Sequence, residues 1–286
     1  MPLVRSSELV GAAAVAGTAV AAFNAITIEH AQGIVAGAER AGLPVILQLS
    51  ENAIAYHGGP RAIAAATVEL ASAASVGVAL HLDHITDLPL VRLAPELGYS
   101  SVMYDGSRHD DAMNRTMTRQ VVAWARGAGV WVEAELGEVG GKDGAHAPGV
   151  RTDPDAAARF VAETGVDALA VAVGSSHAMV QRTASLDLEL VERLHAAVPV
   201  PLVLHGSSGV PDDALVAAAH RGMAKINIGT ALNVAYTGAV RAHLAANLST
   251  VDPRTYTSAA REAVAEVVAH YLRLTARAGE PARPRP

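Results

Sequence analysis

The stretch VALHLDH, residues 78–84, is a short apolar run that closes in a histidine, an aspartate and a second histidine. The same pattern recurs on both sides of it along the chain. Val/Ile/Leu-rich runs fall at 19–23, 45–49, 78–82, 100–104, 130–134, 168–173, 201–204 and 224–228, each followed by an Ala-rich stretch with helical spacing. Strands apolar on both faces and separated by helices belong to a parallel sheet covered on both sides. Eight such units predict a closed (β/α)8 TIM barrel rather than an open sheet. Residues 230–246 and 257–276 read as extra C-terminal helices, the second a candidate for packing against a neighbouring subunit. We expect one barrel domain over 1–278 and a disordered tail at 279–286. The segment 140–154, rich in Gly, Asp, Lys and Pro and long for a βα loop, is a candidate lid.

Composition bounds the chemistry. The chain has 286 residues, 51% of them hydrophobic and 17% charged, so it can bury a large core. A formal net charge of -6 without a Lys/Arg cluster before the tail gives no footprint for nucleic acid. Cysteine is absent, which removes disulfides, thiolate metal sites and cysteine nucleophiles, so any metal must be held by His, Asp and Glu. The apolar stretch 10–28 is mostly Ala and Gly and breaks at Asn24; it reads as a helix and a first strand of a cytoplasmic protein, with no membrane span.

A barrel places its active site at the C-terminal ends of its strands, and here those ends are polar. In order they carry Asn24; Gln48 and Ser50; His81, Asp83 and His84; Asp105-Gly106-Ser107; Glu133 and Glu135; Gly174-Ser175-Ser176-His177; His205-Gly206-Ser207-Ser208-Gly209; and Asn227. A lone histidine at a strand end is more often a hydrogen-bonded core residue than a ligand. Three on separate strand ends, His84, His177 and His205, with carboxylates beside them, make the ligand set of a catalytic Zn2+ that keeps one position open. Asp83, next to a proposed ligand, is the candidate for proton transfer, with holding a ligand by hydrogen bonding as its alternative. Asp105 and Glu135 read as alternative ligands, a second cation site or supports for the first. Glu133 shares a side of its strand with Glu135 and receives no role. The Gly206–Gly209 turn, with Asn227 and Thr230 beyond it, is the candidate phosphate site.

With those residues in view, the chain resembles the class II, metal-dependent fructose-bisphosphate and tagatose-bisphosphate aldolase family. The likeness runs through AFNAITIEHAQGI, PVILQLSENA, ALHLDHI, SVMYDGS, VEAELGEVGG, TGVDALAVAVGSSH, PLVLHGSSGVP, KINIGTAL and DPRTYTSAAREAV, nearly the whole chain. The resemblance implies zinc ligands at His84, His177 and His205, and Asp83 exchanging a proton with the sugar's C4 hydroxyl. It implies a second metal position at Asp105 and Glu135, and room for a monovalent cation. Gly206, Ser208, Asn227 and Thr230 match positions that hold the phosphate of dihydroxyacetone phosphate, and Asn24 and Ser50 line the sugar site. It further implies a ketose phosphate substrate and a homo-dimer or homo-tetramer.

Three positions depart from the family pattern. Gln181 stands where a phosphate-binding lysine commonly lies, with Arg182 next to it as the candidate replacement. Ala178 stands where a glycine usually follows the second zinc histidine. In the lid, Lys142-Asp143 replaces the usual Glu-Asp, leaving Asp143 as the candidate lid acid. The departures bear on the substrate, and fructose 1,6-bisphosphate is expected to be a poor one. The leading expectation is a zinc-dependent aldolase that cleaves a ketose phosphate to dihydroxyacetone phosphate and an aldehyde. The alternatives are a non-catalytic sugar-phosphate-binding barrel acting as a partner subunit, and a zinc hydrolase.

Overall fold

The computed structural model describes residues 2–136 and 151–277. Most of the candidate lid, including Asp143 and His146, and the expected tail lie outside the described residues. The elements in chain order are β1 (Leu3–Val4), α1 (Ser6–Ala16), β2 (Val20–Asn24), α2 (Ile28–Ala41), β3 (Val45–Ser50), α3 (Glu51–Tyr56), α4 (Pro60–Ala73), β4 (Val78–Ile85), α5 (Leu88–Leu93), β5 (Ser101–Tyr104), α6 (Asp111–Ala128), β6 (Trp131–Glu135), α7 (Pro154–Thr164), β7 (Ala168–Ala170), α8 (Leu188–Ala197), β8 (Leu202–Leu204), α9 (Asp212–His220), β9 (Met223–Ile228), α10 (Thr230–Ala246) and α11 (Pro253–Ala276).

Strands β2 to β9 pair in parallel in the order β4-β3-β2-β9-β8-β7-β6-β5, and β4 also pairs with β5, so the sheet closes on itself. This is the expected (β/α)8 barrel. Each of the eight runs read from the sequence falls on one of its strands. β1 has no counterpart among those runs; its two residues pair with the start of β4 (Leu3↔Val78, Val4↔Ala79). β7 is shorter than the run 168–173, because the chain changes partners: Val171 N still donates to Val203 O (3.2 Å), whereas Ala172 N donates to Thr152 Oγ1 (2.8 Å). α11 begins at Pro253 rather than 257; Pro occupies the first turn, and the Asp252 carboxylate accepts from Arg254 N.

The helices begin sharply where the strand-to-helix loops end. The side chains of Thr27, Ser50, Asp87, Asp110, Asp153, Asp187 and Asp252 each accept a backbone N–H of the first turn of the helix they precede. The first six follow strands, so their caps fix how those loops leave the barrel rim; Asp252 caps the connection from α10 to α11. On the outside, α11 lies so close to α2 that a Cβ at Gly37 would stand 2.6 Å from Ala265 O, an approach open only to glycine.

The barrel interior is divided in two. At the N-terminal end, α1 inserts Val10 and Ala13 against Val20, Ala22, Ile46, Ala79 and Ala224, an apolar plug of small side chains. Toward the C-terminal end the inward positions turn polar: Gln48, His81, Asp83, Glu133, Lys225 and Asn227 are all buried. Desolvated polar groups on this scale require one another as partners.

Candidate active site

A cavity of about 610 Å³ opens at the C-terminal ends of the strands. Asn24, Ser50, Asp83, His84, Asp105, His177, Gly206, Ser208, Asn227 and Thr230 all line it. His205 and Glu135 stand behind its wall, at 0% and 1% exposure. His109 lies in a turn after β5, its N–H donating to Gly106 O, and does not reach the cavity lining.

Asp83 and His84 are sequence neighbours, and a regular strand would send their side chains to opposite faces. Both reach the site because β4 is irregular there. Its register against β5 shifts between Leu82 and Ile85, and His84 takes φ 52°. Asp83 keeps the inward direction of His81, while the bulge carries the imidazole of His84 onto the rim.

His84, His177 and His205 converge. Their ring centroids lie 4.6 to 5.8 Å apart, and one nitrogen of each lies within 4.8 Å of the others, a group that could hold a metal ion. The outer nitrogens are engaged by carboxylates: His84 Nδ1 faces Asp105 Oδ2 at 3.0 Å, and His205 Nε2 faces Glu133 Oε1 at 2.9 Å. An ionised carboxylate only accepts, so both of these nitrogens carry hydrogen. That leaves lone pairs on His84 Nε2 and His205 Nδ1, which face each other at 2.9 Å. Two such nitrogens stay this close only by sharing a cation, either a proton or a metal ion, and with His177 alongside, the donor set suits a borderline metal such as zinc. His84, Asp105 and Glu135 form a second group with the same capacity; the Glu135 carboxylate lies 3.9 Å from His84 Nδ1 and 3.8 Å from His205 Nδ1.

His177 sits beyond β7, and its placement depends on the loop after β8. Ser175 Oγ donates to His205 O at 2.6 Å, and Gly206 packs so tightly that a Cβ there would stand 2.6 to 2.8 Å from the Ser176 backbone. Gly206 also has φ 68°, so glycine is required on both counts. The next residue along the other loop, Ala178, has φ 59° despite its side chain and lines the cavity.

Asp83 is held from two sides: Asn24 Nδ2 donates to one carboxylate oxygen at 2.7 Å and Asn227 Nδ2 to the other at 3.4 Å. Gln48 Nε2 in turn donates to Asn24 Oδ1 at 3.1 Å. Burial alone would raise the Asp83 carboxyl, but attraction to His84, His205 and Lys225 outweighs it and holds the group well below the usual carboxylate range. Asp83 is therefore an ionised, oriented acceptor open to the cavity.

At the opposite rim, the turn Ser207–Gly209 meets the N-terminus of α10, and Ala231 N donates to Ser208 Oγ at 3.0 Å. These backbone amides and the positive end of the α10 dipole suit an anion. Arg182 does not serve this end: its guanidinium donates to Val210 O at 3.0 and 2.7 Å and to Asp212, and it lies over the Tyr271 ring. Among the described cavity-lining residues the one Lys or Arg is Arg108, beyond β5.

Lys225 and Glu133 escaped assignment from the sequence. Lys225 Nζ donates to Glu133 Oε2 at 2.8 Å in the barrel interior, with both side chains fully buried. Burial would raise the Glu133 carboxyl, but Lys225 and the His205 hydrogen bond bring it down to about 2. The usable signal was a lysine and a glutamate in otherwise apolar strands, since a buried charge needs its opposite.

These features belong to a metal-dependent aldolase barrel, and the comparisons agree. Residues 4–280 match the family model described as fructose-bisphosphate aldolase class-II. The chain is 38% identical over 286 residues to the 6-phospho-5-dehydro-2-deoxy-D-gluconate aldolase of Bacillus subtilis, covering 99% of each. It is likewise 38% identical over 299 residues to the fructose-bisphosphate aldolase of Thermus caldophilus, covering 95% of this chain and 97% of that protein. In three dimensions it matches the YdjI aldolase from Escherichia coli K12 with TM-score 0.83 at 32% identity, over 96% and 97% of the two chains. The chain belongs to the class II fructose-bisphosphate aldolase family. It is an aldolase, a carbon–carbon lyase, and no helix among the described residues is long and apolar enough to cross a membrane.

Proposed function

We propose that this aldolase is zinc-dependent and cleaves a ketose phosphate between C3 and C4, releasing dihydroxyacetone phosphate and an aldehyde. The observation that carries the reading is the meeting of the His84, His177 and His205 nitrogens beside the ionised, amide-held carboxylate of Asp83 in one cavity. His84 through Nε2 and His205 through Nδ1, together with His177, would hold the metal. When bound, zinc supplies a Lewis acid at the ketone end of the substrate. The amides of the Ser207–Gly209 turn and of the α10 N-terminus bind the phosphate of the ketone half and so fix C3 and C4 beside Asp83. Asp83 takes the proton from the C4 hydroxyl as the C3–C4 bond breaks and the aldehyde forms; the electron pair of that bond passes to the ketone half, which gains a proton at C3 from solvent to become dihydroxyacetone phosphate, and the same transfers run backward in condensation. Asn24 and Asn227 keep that carboxylate aimed and ionised. Asp105 acts through His84, whose Nδ1–H it accepts. Ser50 caps α3 with its oxygen while facing the sugar.

The substrate departs from fructose 1,6-bisphosphate on this reading. Gln181 replaces the usual lysine, and Arg182 is committed to Val210 and Asp212, so a charge-assisted phosphate contact worth about 1.5 to 3 kcal/mol is missing. The working form is a homo-oligomer, supported by exposed Val234 and Leu244 on α10 and Leu248 and Val251 just beyond it. The decisive experiment incubates metal-replete protein with fructose 1,6-bisphosphate, tagatose 1,6-bisphosphate, 6-phospho-5-dehydro-2-deoxy-D-gluconate and ketose 1-phosphates, and measures dihydroxyacetone phosphate release with and without a chelator. Chelator-sensitive release from at least one is expected. Release from none, or release indifferent to metal removal, overturns the reading; fructose 1,6-bisphosphate as the best substrate overturns its substrate clause.

A further inference from the structure

We infer that Glu133, clamped by Lys225, is the positioning residue that fixes His205 in the tautomer presenting Nδ1 to the metal. The inference rests on the metal reading above and extends it to a pair in the barrel interior.

Glu133 lies on β6 and Lys225 on β9, strands separated in the barrel by β7 and β8, so their contact crosses the interior. Removing two charges from water costs several kcal/mol each, and apolar replacements of such pairs are often neutral or stabilising. Stability alone therefore gives no reason for the pair. Its geometry gives another. Lys225 takes one Glu133 oxygen at 2.8 Å, which fixes the carboxylate plane and leaves the other oxygen 2.9 Å from His205 Nε2.

Two neighbours compete for these groups. The Asn227 amide nitrogen lies 3.1 Å from the same His205 Nε2 and could donate to it in the opposite tautomer. A bond to a charged group contributes about 1.5 to 3 kcal/mol against about 0.5 to 1.5 for a neutral one, so the carboxylate wins and Nε2 keeps its hydrogen. The other neighbour is His81, whose Nε2 lies 3.8 Å from Glu133 Oε2 and has no hydrogen-bond partner among the described residues, while its Nδ1 is engaged with Ser101 Oγ at 2.8 Å. Glu133 is thus committed to Lys225 and His205 even with an unsatisfied imidazole beside it. A carboxylate accepting the far N–H of a ligating histidine fixes the ring and raises its donor strength, and loss of such a partner commonly lowers metal affinity 10- to 100-fold.

The test measures zinc affinity by chelator competition, together with melting of the metal-free protein, for two variants. Glu133→Gln keeps an acceptor but not the charge; the double variant Glu133→Leu/Lys225→Met removes acceptor and charges together, so no unpaired ion is left buried. About 10-fold weaker zinc binding is expected for the first and about 100-fold for the second. Zinc affinity within twofold of the parent in either folded variant overturns the inference, even if melting changes, because a structural role alone would produce that result. If neither variant folds, the parent protein decides: with ¹¹³Cd in place of zinc and ¹⁵N-histidine, metal coupling to His205 Nδ1 with a protonated Nε2 is expected, and coupling to Nε2 refutes it. A His205→Ala control separates the two readings, since undiminished metal binding there would remove the metal site itself.

Discussion

Replacing Asp83 by asparagine probes the proposed proton transfer with the smallest change of shape, but it is not a silent change. Both carboxylate oxygens accept from amides, Asn24 Nδ2 at 2.7 Å and Asn227 Nδ2 at 3.4 Å. An asparagine has one oxygen to offer. Turned toward Asn24 it keeps the shorter bond and sets its own NH2 against that of Asn227, so one hydrogen bond to a charged group is lost at about 1.5 to 3 kcal/mol. In a chain of this size that lowers the melting temperature by roughly 3 to 12 °C, at about 2 to 4 °C per kcal/mol. The catalytic loss is larger. Without a general base, kcat should fall about 10²- to 10⁴-fold, which at 1.36 kcal/mol per decade is about 2.7 to 5.4 kcal/mol. KM should move little, because the phosphate amides of the opposite rim are untouched. The assay measures kcat and KM on the best ketose phosphate alongside metal content and melting. A kcat within tenfold of the parent at equal metal occupancy refutes the assignment and leaves Asp83 an orienting role only.

Gly206→Ala places a Cβ 2.6 to 2.8 Å from the Ser176 backbone at φ 68°, so strain and overpacking should cost about 2 to 4 kcal/mol and weaken metal binding by displacing His177; unchanged melting and chelator resistance would remove the steric argument. Ala178→Gly relieves a left-handed alanine and should stabilise by about 0.5 to 1 kcal/mol, read as a rise in urea midpoint, with a fall counting against the strain. Burial, reinforced by Lys225, lowers His81 to about 3, below the roughly 6.5 of the unfolded chain. The unfolded state therefore binds more protons below pH 6.5, and stability falls as pH drops from there toward 3. The contribution is up to about 1.4 kcal/mol per pH unit. His81→Asn should flatten that slope in metal-free protein between about pH 6.5 and 4.5, with the part due to buried His30 remaining, while below that window the lowered Glu133 and Asp83 carboxyls add their own loss; an unaltered slope between about 6.5 and 4.5 would contradict the neutral, buried state of His81.

Much of the fold was legible because its strands are buried on both faces and read as unbroken Val/Ile/Leu runs, each ending in residues that a core would not tolerate. A barrel gathers those strand ends on one rim, so His84, His177, His205 and Asp83 are legible together from the sequence. What escaped depends on pairing rather than on spacing. β1 is too short for any periodicity, and its register exists only against β4. Lys225 and Glu133 lie on separate strands whose neighbourhood is fixed by closure of the barrel, so neither residue signals the other along the chain. Arg182 stood one position from the missing lysine, yet α9 and α11 supply it with Asp212 and Tyr271, and it turns away from the cavity.

Backbone strain adds an independent pointer to the site. Among the described residues, only His84 and Ala178 adopt positive φ without being glycine, and both line the cavity, one as a proposed ligand and the other directly after His177. Such conformations cost about 1 to 2 kcal/mol each and persist only where surrounding contacts over-determine them. The contacts are present: the β4 bulge and Asp105 hold His84, and the Ser175–His205 bond with the Gly206 contact holds the loop that carries His177. Rings placed by strained backbone, with two nitrogens facing at 2.9 Å, are arranged to share a cation between them. Metal binding should therefore stabilise the fold beyond simple occupancy, by bridging those nitrogens, and the melting difference between metal-free and zinc-loaded protein should shrink in any variant that lets His84 turn away. His84→Gly with Asp105 intact tests this. It removes the strained side chain and one lone pair together, so the metal-free protein should melt at or above the parent while the gain on adding zinc collapses; a metal-free protein that melts well below the parent would show that the strain is not where the argument places it.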